Sequence, residues 1–142
     1  MSPPRPIPEP APTILVVDDV DTVLKATTRV LELEGYRVLT ARDGIEALEV
    51  LQRSPVHAVV SDLRMPRMDG DALAAEVTAR WPAIGMVFMT GYSESALRKD
   101  LPGPLLQKPF DVADILGALR RVLRHPPRHI ARRVAGGDPP GL

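Results

Sequence analysis

VVDDVDT, residues 16–22, follows directly on the start of an apolar run, TILVV (13–17), and places three aspartates in the four positions after that run. Two readings compete for these carboxylates. Asp19, Asp21 and Val23 fit a D-x-D-x-[TV] spacing in which the first aspartate is a nucleophile, whereas Asp18 and Asp19 fit a paired-carboxylate metal site. The readings assign the chemistry to different residues, so the rest of the chain has to choose.

Outward from this stretch, apolar runs of strand length alternate with amphipathic segments of helix length. Strands are predicted over TILVV (13–17), YRVLT (36–40), HAVVS (57–61), GMVFM (85–89) and PLLQ (104–107). Val, Ile and Leu on successive positions are expected of parallel strands covered on both faces. Helices are predicted over 20–34, 43–53, 69–80, 93–100 and 111–124. Gly35 closes the first at a left-handed position, Asp43 with Glu46 makes a capping-box-like start for the second, and Asp69 and Asp111 are N-caps for the third and fifth. The fourth, SESALRKD, lies between Gly91 and the L-P-G-P turn at 101–104 and is expected to be the least stable.

Five strand–helix pairs with right-handed crossovers predict an α/β fold: a doubly wound, flavodoxin-like (βα)5 parallel sheet of order 2-1-3-4-5. Ligands in such sheets bind beyond the carboxyl ends of the strands, where the winding reverses between strands 1 and 3. At those ends stand Asp18 and Asp19, then Asp62, Thr90 and Lys108. Three carboxylates at one edge raise one another's pKa unless a cation sits among them. Mg2+ suits them, since it takes oxygen ligands and completes its octahedron with water and phosphate oxygens. With the Lys108 charge opposite and the Thr90 hydroxyl near, the pocket suits a phosphoryl group.

Through VVDDV (16–20), SDLRMPRMDG (61–70), FMTGYSE (88–94) and LLQKPF (105–110), the chain resembles a response-regulator receiver domain of two-component signal transduction, the CheY-like superfamily, across residues 13–124. The resemblance implies that Asp62 is the phospho-acceptor, attacking the phosphohistidine of a sensor histidine kinase or histidine phosphotransfer protein. It implies that Asp18, Asp19, Asp62 and the backbone carbonyl of Arg64 hold Mg2+, that Lys108 and Thr90 bond phosphoryl oxygens, and that Pro109 follows a cis peptide bond. Leu105 departs from the family's usual aromatic three residues before the lysine and is expected to pack in the core, with Tyr92 able to take part of that role. Arg64 and Tyr92 are expected to flank the mouth of the site and to limit the access of water.

The rival, a haloacid-dehalogenase-like phosphatase, fails on three counts. Asp18, not Asp19, follows the strand directly; no acidic pair follows Lys108 at a strand end; and Asp62 would have no task. Asp21 is then an acidic residue in the first turn of a helix, where the macrodipole favours it.

The ends have a different composition. MSPPRPIPEPAP (1–12) holds six of the sixteen prolines and is expected to be a disordered lead-in; 125–142 is expected to be a basic, Pro/Gly-rich disordered tail. Residues 13–119 carry 16 Asp+Glu against 11 Lys+Arg, whereas 120–142 carry six Arg against one Asp, so an acidic domain ends in a basic tail. The tail is a solvated segment or a dock for an acidic partner, and no interleaved aromatics point to nucleic acid. Zero cysteines exclude thiol chemistry, and no apolar run is long enough for a membrane span or secretory signal, so a cytoplasmic protein is expected. His57 and Trp81 are expected to pack, His125 and His129 are split by two prolines, and the methionines at 65, 68, 86 and 89 fit loop and core. The chain reads as a stand-alone regulator with an unknown output partner, as a phosphate shuttle, or as the receiver piece of a hybrid histidine kinase.

Overall fold

The five apolar runs form one parallel sheet. The computed structural model describes residues 11–91 and 98–124. Its elements follow in the order β1 (Thr13–Val17), α1 (Asp21–Leu33), β2 (Arg37–Ala41), α2 (Gly44–Arg53), β3 (Ala58–Asp62), α3 (Gly70–Arg80), β4 (Gly85–Thr90), β5 (Leu105–Gln107) and α4 (Val112–Arg124). The strand order is β2-β1-β3-β4-β5 and every neighbouring pair is parallel, as expected.

Because successive strand residues face opposite sides, the apolar runs feed two cores. Ile14, Val16, Val60, Val87 and Met89 meet Leu24 and Leu31 of α1 and Ile115 and Leu119 of α4. Leu15, Val17, Val59, Met86 and Phe88 meet Ala47, Val50 and Leu51 of α2 and Leu73 and Val77 of α3. Each Val, Leu, Ile, Met or Phe among them, taken fully from water, contributes about 1.5–3 kcal/mol before entropy is counted. Covering on both faces is why these strands read as continuous apolar runs.

The helix starts follow the expected capping. Asp43 accepts the Glu46 N–H at 2.9 Å, and Asp69 accepts the Ala72 N–H at 2.9 Å. Asp111 and Asp114 exchange side-chain-to-backbone bonds at 2.9 and 3.1 Å, a reciprocal capping box. The Glu46 carboxylate accepts the Arg42 N–H, one residue before the cap, at 2.6 Å. Gly35 ends α1 with φ 107°, and the Lys108–Pro109 peptide is cis.

Some expectations are met, two are corrected, and others fall outside the described residues. The helix predicted over 93–100 falls largely on 92–97, outside the described residues, and 98–100 form no helix. Tyr92, the tail from 125 and its two histidines also lie outside them. Pro12, assigned to the lead-in, accepts the Arg37 N–H at 3.1 Å and so extends the β1–β2 ladder. His57 is not a packing residue: it is exposed just before β3, and its Nδ1 accepts the Thr13 N–H at 2.9 Å while its own N–H bonds back to Thr13 O at 2.8 Å. Trp81 does cover the end of α3, with the Arg80 guanidinium 4.5 Å from the ring centre. Leu105 pairs with Phe88 and packs, partly buried, on the α2–α3 side. Among the described residues no helix is long and apolar enough to cross a membrane.

Candidate functional site

Strand register brings the polar residues together. Val17 is level with Ser61, Asp62 with Met89, and Thr90 with Gln107, so the ends of β1, β3, β4 and β5 open on one edge. Backbone bonds continue the ladder past the strand ends: Leu63 N–H to Met89 O at 3.0 Å and Lys108 N–H to Thr90 O at 2.7 Å.

The carboxylates of Asp18, Asp19 and Asp62 each offer an oxygen within 4.8 Å of the others. Asp21 is turned elsewhere, paired with Lys25 and with Arg42 at 3.1 Å each. The Lys25 and Arg42 charges hold the Asp21 carboxyl below its ordinary value, the hydrogen bond from Lys25 most. The adjacent pair, not the pair shifted by one, therefore belongs to the cluster.

The three carboxylates have different surroundings. Asp18 is fully buried; one oxygen accepts the Val20 N–H at 2.9 Å and the other faces Lys108 Nζ at 3.1 Å. Asp19 is exposed. Asp62 is 7% exposed, with Lys108 Nζ 3.5 Å from its carboxylate. Burial pushes the Asp62 carboxyl up from its ordinary value, against the Lys108 charge and reinforced by Asp18. An all-oxygen donor set with one amine for three carboxylates carries uncompensated negative charge, and a hard divalent cation fits it.

Above the cluster lies an open cleft of about 460 Å³, walled by Asp19, Val20, Asp62, Arg64, Met65, Pro66, Gly91 and Lys108. Arg64 is exposed at this wall, where it was expected. Thr90, 1% exposed, is not in the wall; its neighbour Gly91 is.

Sequence reasoning missed two arginine contacts. Arg67 donates from Nε to Asp43 Oδ2 at 2.7 Å and from Nη2 to Oδ1 at 3.1 Å, so the α2 N-cap also grips the loop after Asp62. Arg98 forks onto Asp71, at 2.9 and 2.6 Å, and onto Asp100, at 2.9 and 2.7 Å. Both join residues 24 or more positions apart (Asp43 to Arg67, Asp71 to Arg98), beyond any local spacing rule.

Comparison with known proteins agrees with this geometry. The family model described as "Response regulator receiver domain" matches residues 14–120. The sensor kinase CckA of Brucella abortus (strain 2308) is 37% identical over 117 residues, 78% of this chain but 12% of that one. The response regulator receiver protein CpdR of the same strain is 32% identical over 114 residues, 78% of this chain and 95% of that one. The crystal structure of the response regulator TrrA from Thermotoga maritima, in complex with Mg(2+)-BeF, superposes with a TM-score of 0.72 at 28% identity, covering 79% of this chain and 99% of that one. The chain belongs to the response regulator receiver domain family of two-component signalling.

Proposed function

We propose that this chain is a phosphoryl-accepting signalling switch whose acceptor is Asp62, served by a bacterial sensor histidine kinase or histidine phosphotransfer protein in the cytoplasm. The observation that carries the reading is the Asp18–Asp19–Asp62 cluster, with Lys108 3.1 and 3.5 Å from two of its members, under an open cleft. An Asp62 oxygen forms the new P–O bond, the P–N bond of the donor phosphohistidine breaks, and the imidazole keeps the electron pair and takes up a proton. Asp62 needs no base, because it attacks as the carboxylate. Lys108, on the inner side, offsets charge on the phosphoryl oxygens; such transfer depends on positioning and electrostatics more than on covalent help.

Asp18, Asp19, Asp62 and the carbonyl of Arg64 would hold Mg2+, which supplies charge neutralisation at the phosphoryl oxygens when bound. The hydroxyl of buried Thr90 would bond a phosphoryl oxygen of the product, and its movement on phosphorylation is the switch element. The domain otherwise signals rather than turns over a substrate.

Intact-mass measurement after incubation with acetyl phosphate and Mg2+ tests the reading. One added phosphoryl group is expected, lost in Asp62→Asn and with chelator. A folded wild-type chain that takes no phosphoryl group from acetyl phosphate or from a histidine-phosphorylated donor would sink it.

Output has two versions. One is a switch that gains affinity for a partner on phosphorylation, the other a receiver that relays phosphate to a phosphotransfer histidine; the chain is similar both to the receiver protein CpdR, along 95% of that protein, and to the sensor kinase CckA, along 12% of that one. Fast back-transfer from Asp62 to a phosphotransfer histidine marks the relay.

A further inference from the structure

The cleft wall formed by Arg64, Met65 and Pro66 belongs to the loop 63–69, and the middle of that loop is in an unusual conformation. Met68 N–H bonds to Pro66 O at 2.7 Å, closing a three-residue turn about Arg67, whose φ is 65°. That is the rare left-handed form of the γ-turn, which a residue with a Cβ adopts only when its surroundings over-determine it.

Two contacts supply the over-determination, and both come from the start of α2. The Arg67 guanidinium forks onto Asp43, whose side chain is only 10% exposed although the arginine's own is 61% exposed. Gly44 N–H donates to Met68 O at 3.0 Å, and a Cβ on Gly44 would stand 2.5 Å from Met68 Cγ. An exposed ion pair usually contributes little. This one differs in being bidentate, in ending on a buried N-cap, and in bracing a strained residue.

We infer that Asp43 and Arg67 are a positioning pair that fixes the loop 63–69, and through it the backbone of Arg64, against the phosphoryl cleft. The inference rests on the phosphoryl-acceptor reading, since the quantity it controls is the fit of the Arg64 carbonyl to a cation held by Asp18, Asp19 and Asp62. Neither residue belongs to the Asp18–Asp19–Asp62 cluster or lines the cleft.

Mg2+ affinity, measured by titration calorimetry on the full chain, tests it together with amide exchange at Gly44. Arg67→Gly removes the fork and relaxes the left-handed φ; Asp43→Ser removes the fork and keeps an N-cap. Each is expected to weaken the Mg2+ Kd by about threefold to tenfold, below the ~10–100-fold typical of groups bonded directly to a ligand. The double variant is expected to lose no more than the weaker-binding single, because both remove one interaction. Arg67→Lys keeps the charge without the fork and is expected between wild type and Arg67→Gly, and Gly44 N–H is expected to exchange faster in all of them.

Wild-type Mg2+ affinity in both single variants overturns the inference while leaving the phosphoryl reading in place, as does a double variant whose loss multiplies the two single losses. A wild-type chain that binds no Mg2+ overturns both.

Discussion

Lys108 Nζ lies 3.1 Å from Asp18, a fully buried carboxylate, and 3.5 Å from Asp62, so the lysine is held more closely by the inner carboxylate than by the acceptor. Without a bound divalent cation, this ammonium is the charge that compensates Asp18. Lys108→Met should therefore destabilise the cation-free protein by about 2–3 kcal/mol, somewhat less than a fully enclosed pair would lose. Added Mg2+ should restore part of the difference. Thermal unfolding in chelator and in Mg2+ measures both, and an unchanged midpoint in chelator would contradict the pairing.

Asp62 predicts the opposite sign. Burial, assisted by Asp18, raises its pKa, so the folded state holds this proton to higher pH than the unfolded chain does. Its ionised form then costs stability, fully above the folded pKa and not at all below the ordinary carboxylate value. Asp62→Asn should be more stable than wild type near neutral pH in chelator, by roughly 1 kcal/mol or about 3–5 °C. The gain should vanish in acid and shrink in Mg2+. A variant less stable than wild type in chelator at neutral pH would refute this account of the site's charge.

At the α2 start the linkage reverses. The Arg67 hydrogen bonds, more than the Glu46 backbone bond, hold the Asp43 carboxyl below its ordinary value. This stabilisation is present above the unfolded pKa and is lost as pH falls through the depressed folded one. Asp43→Asn, which can still cap, should flatten the acid limb of the stability profile. Asp43→Ala should cost about 1 kcal/mol more at neutral pH through the lost cap. Chemical denaturation between about pH 3 and pH 7 separates the two effects; parallel wild-type and Asn profiles would show that the pair contributes nothing.

Arg64, exposed at the cleft wall, tests the proposed product state. If its side chain limits the approach of water to phosphorylated Asp62, Arg64→Ala should speed dephosphorylation roughly threefold, ~0.7 kcal/mol of barrier. A rate equal to or slower than wild type would reject the role.

The five strands, four of the five predicted helices, the sheet order and the strand-end residues Asp18, Asp19, Asp62 and Lys108 were legible in the linear chain because each depends on short-range periodicity or on chain-order rules. Apolar runs such as TILVV read as strands covered on both faces, and Asp43, Asp69 and Asp111 cap the helices that start after them. The adjacent pair Asp18 and Asp19 was likewise chosen over Asp21 on sequence grounds, but tertiary structure alone supplied the contacts, Asp19 meeting Asp18 and Asp62 while Asp21 meets Lys25 and Arg42.

Tertiary structure also decided His57, whose ring turns to Thr13 from 44 residues away instead of entering the core. The left-handed φ at Arg67 has no local signature, because a non-glycine residue reaches it only when distant contacts offset the strain. Local periodicity in this chain specified the elements and their order, and the distant side-chain contacts that make one edge of the sheet a charged cleft formed only once packing had set the distances between those elements.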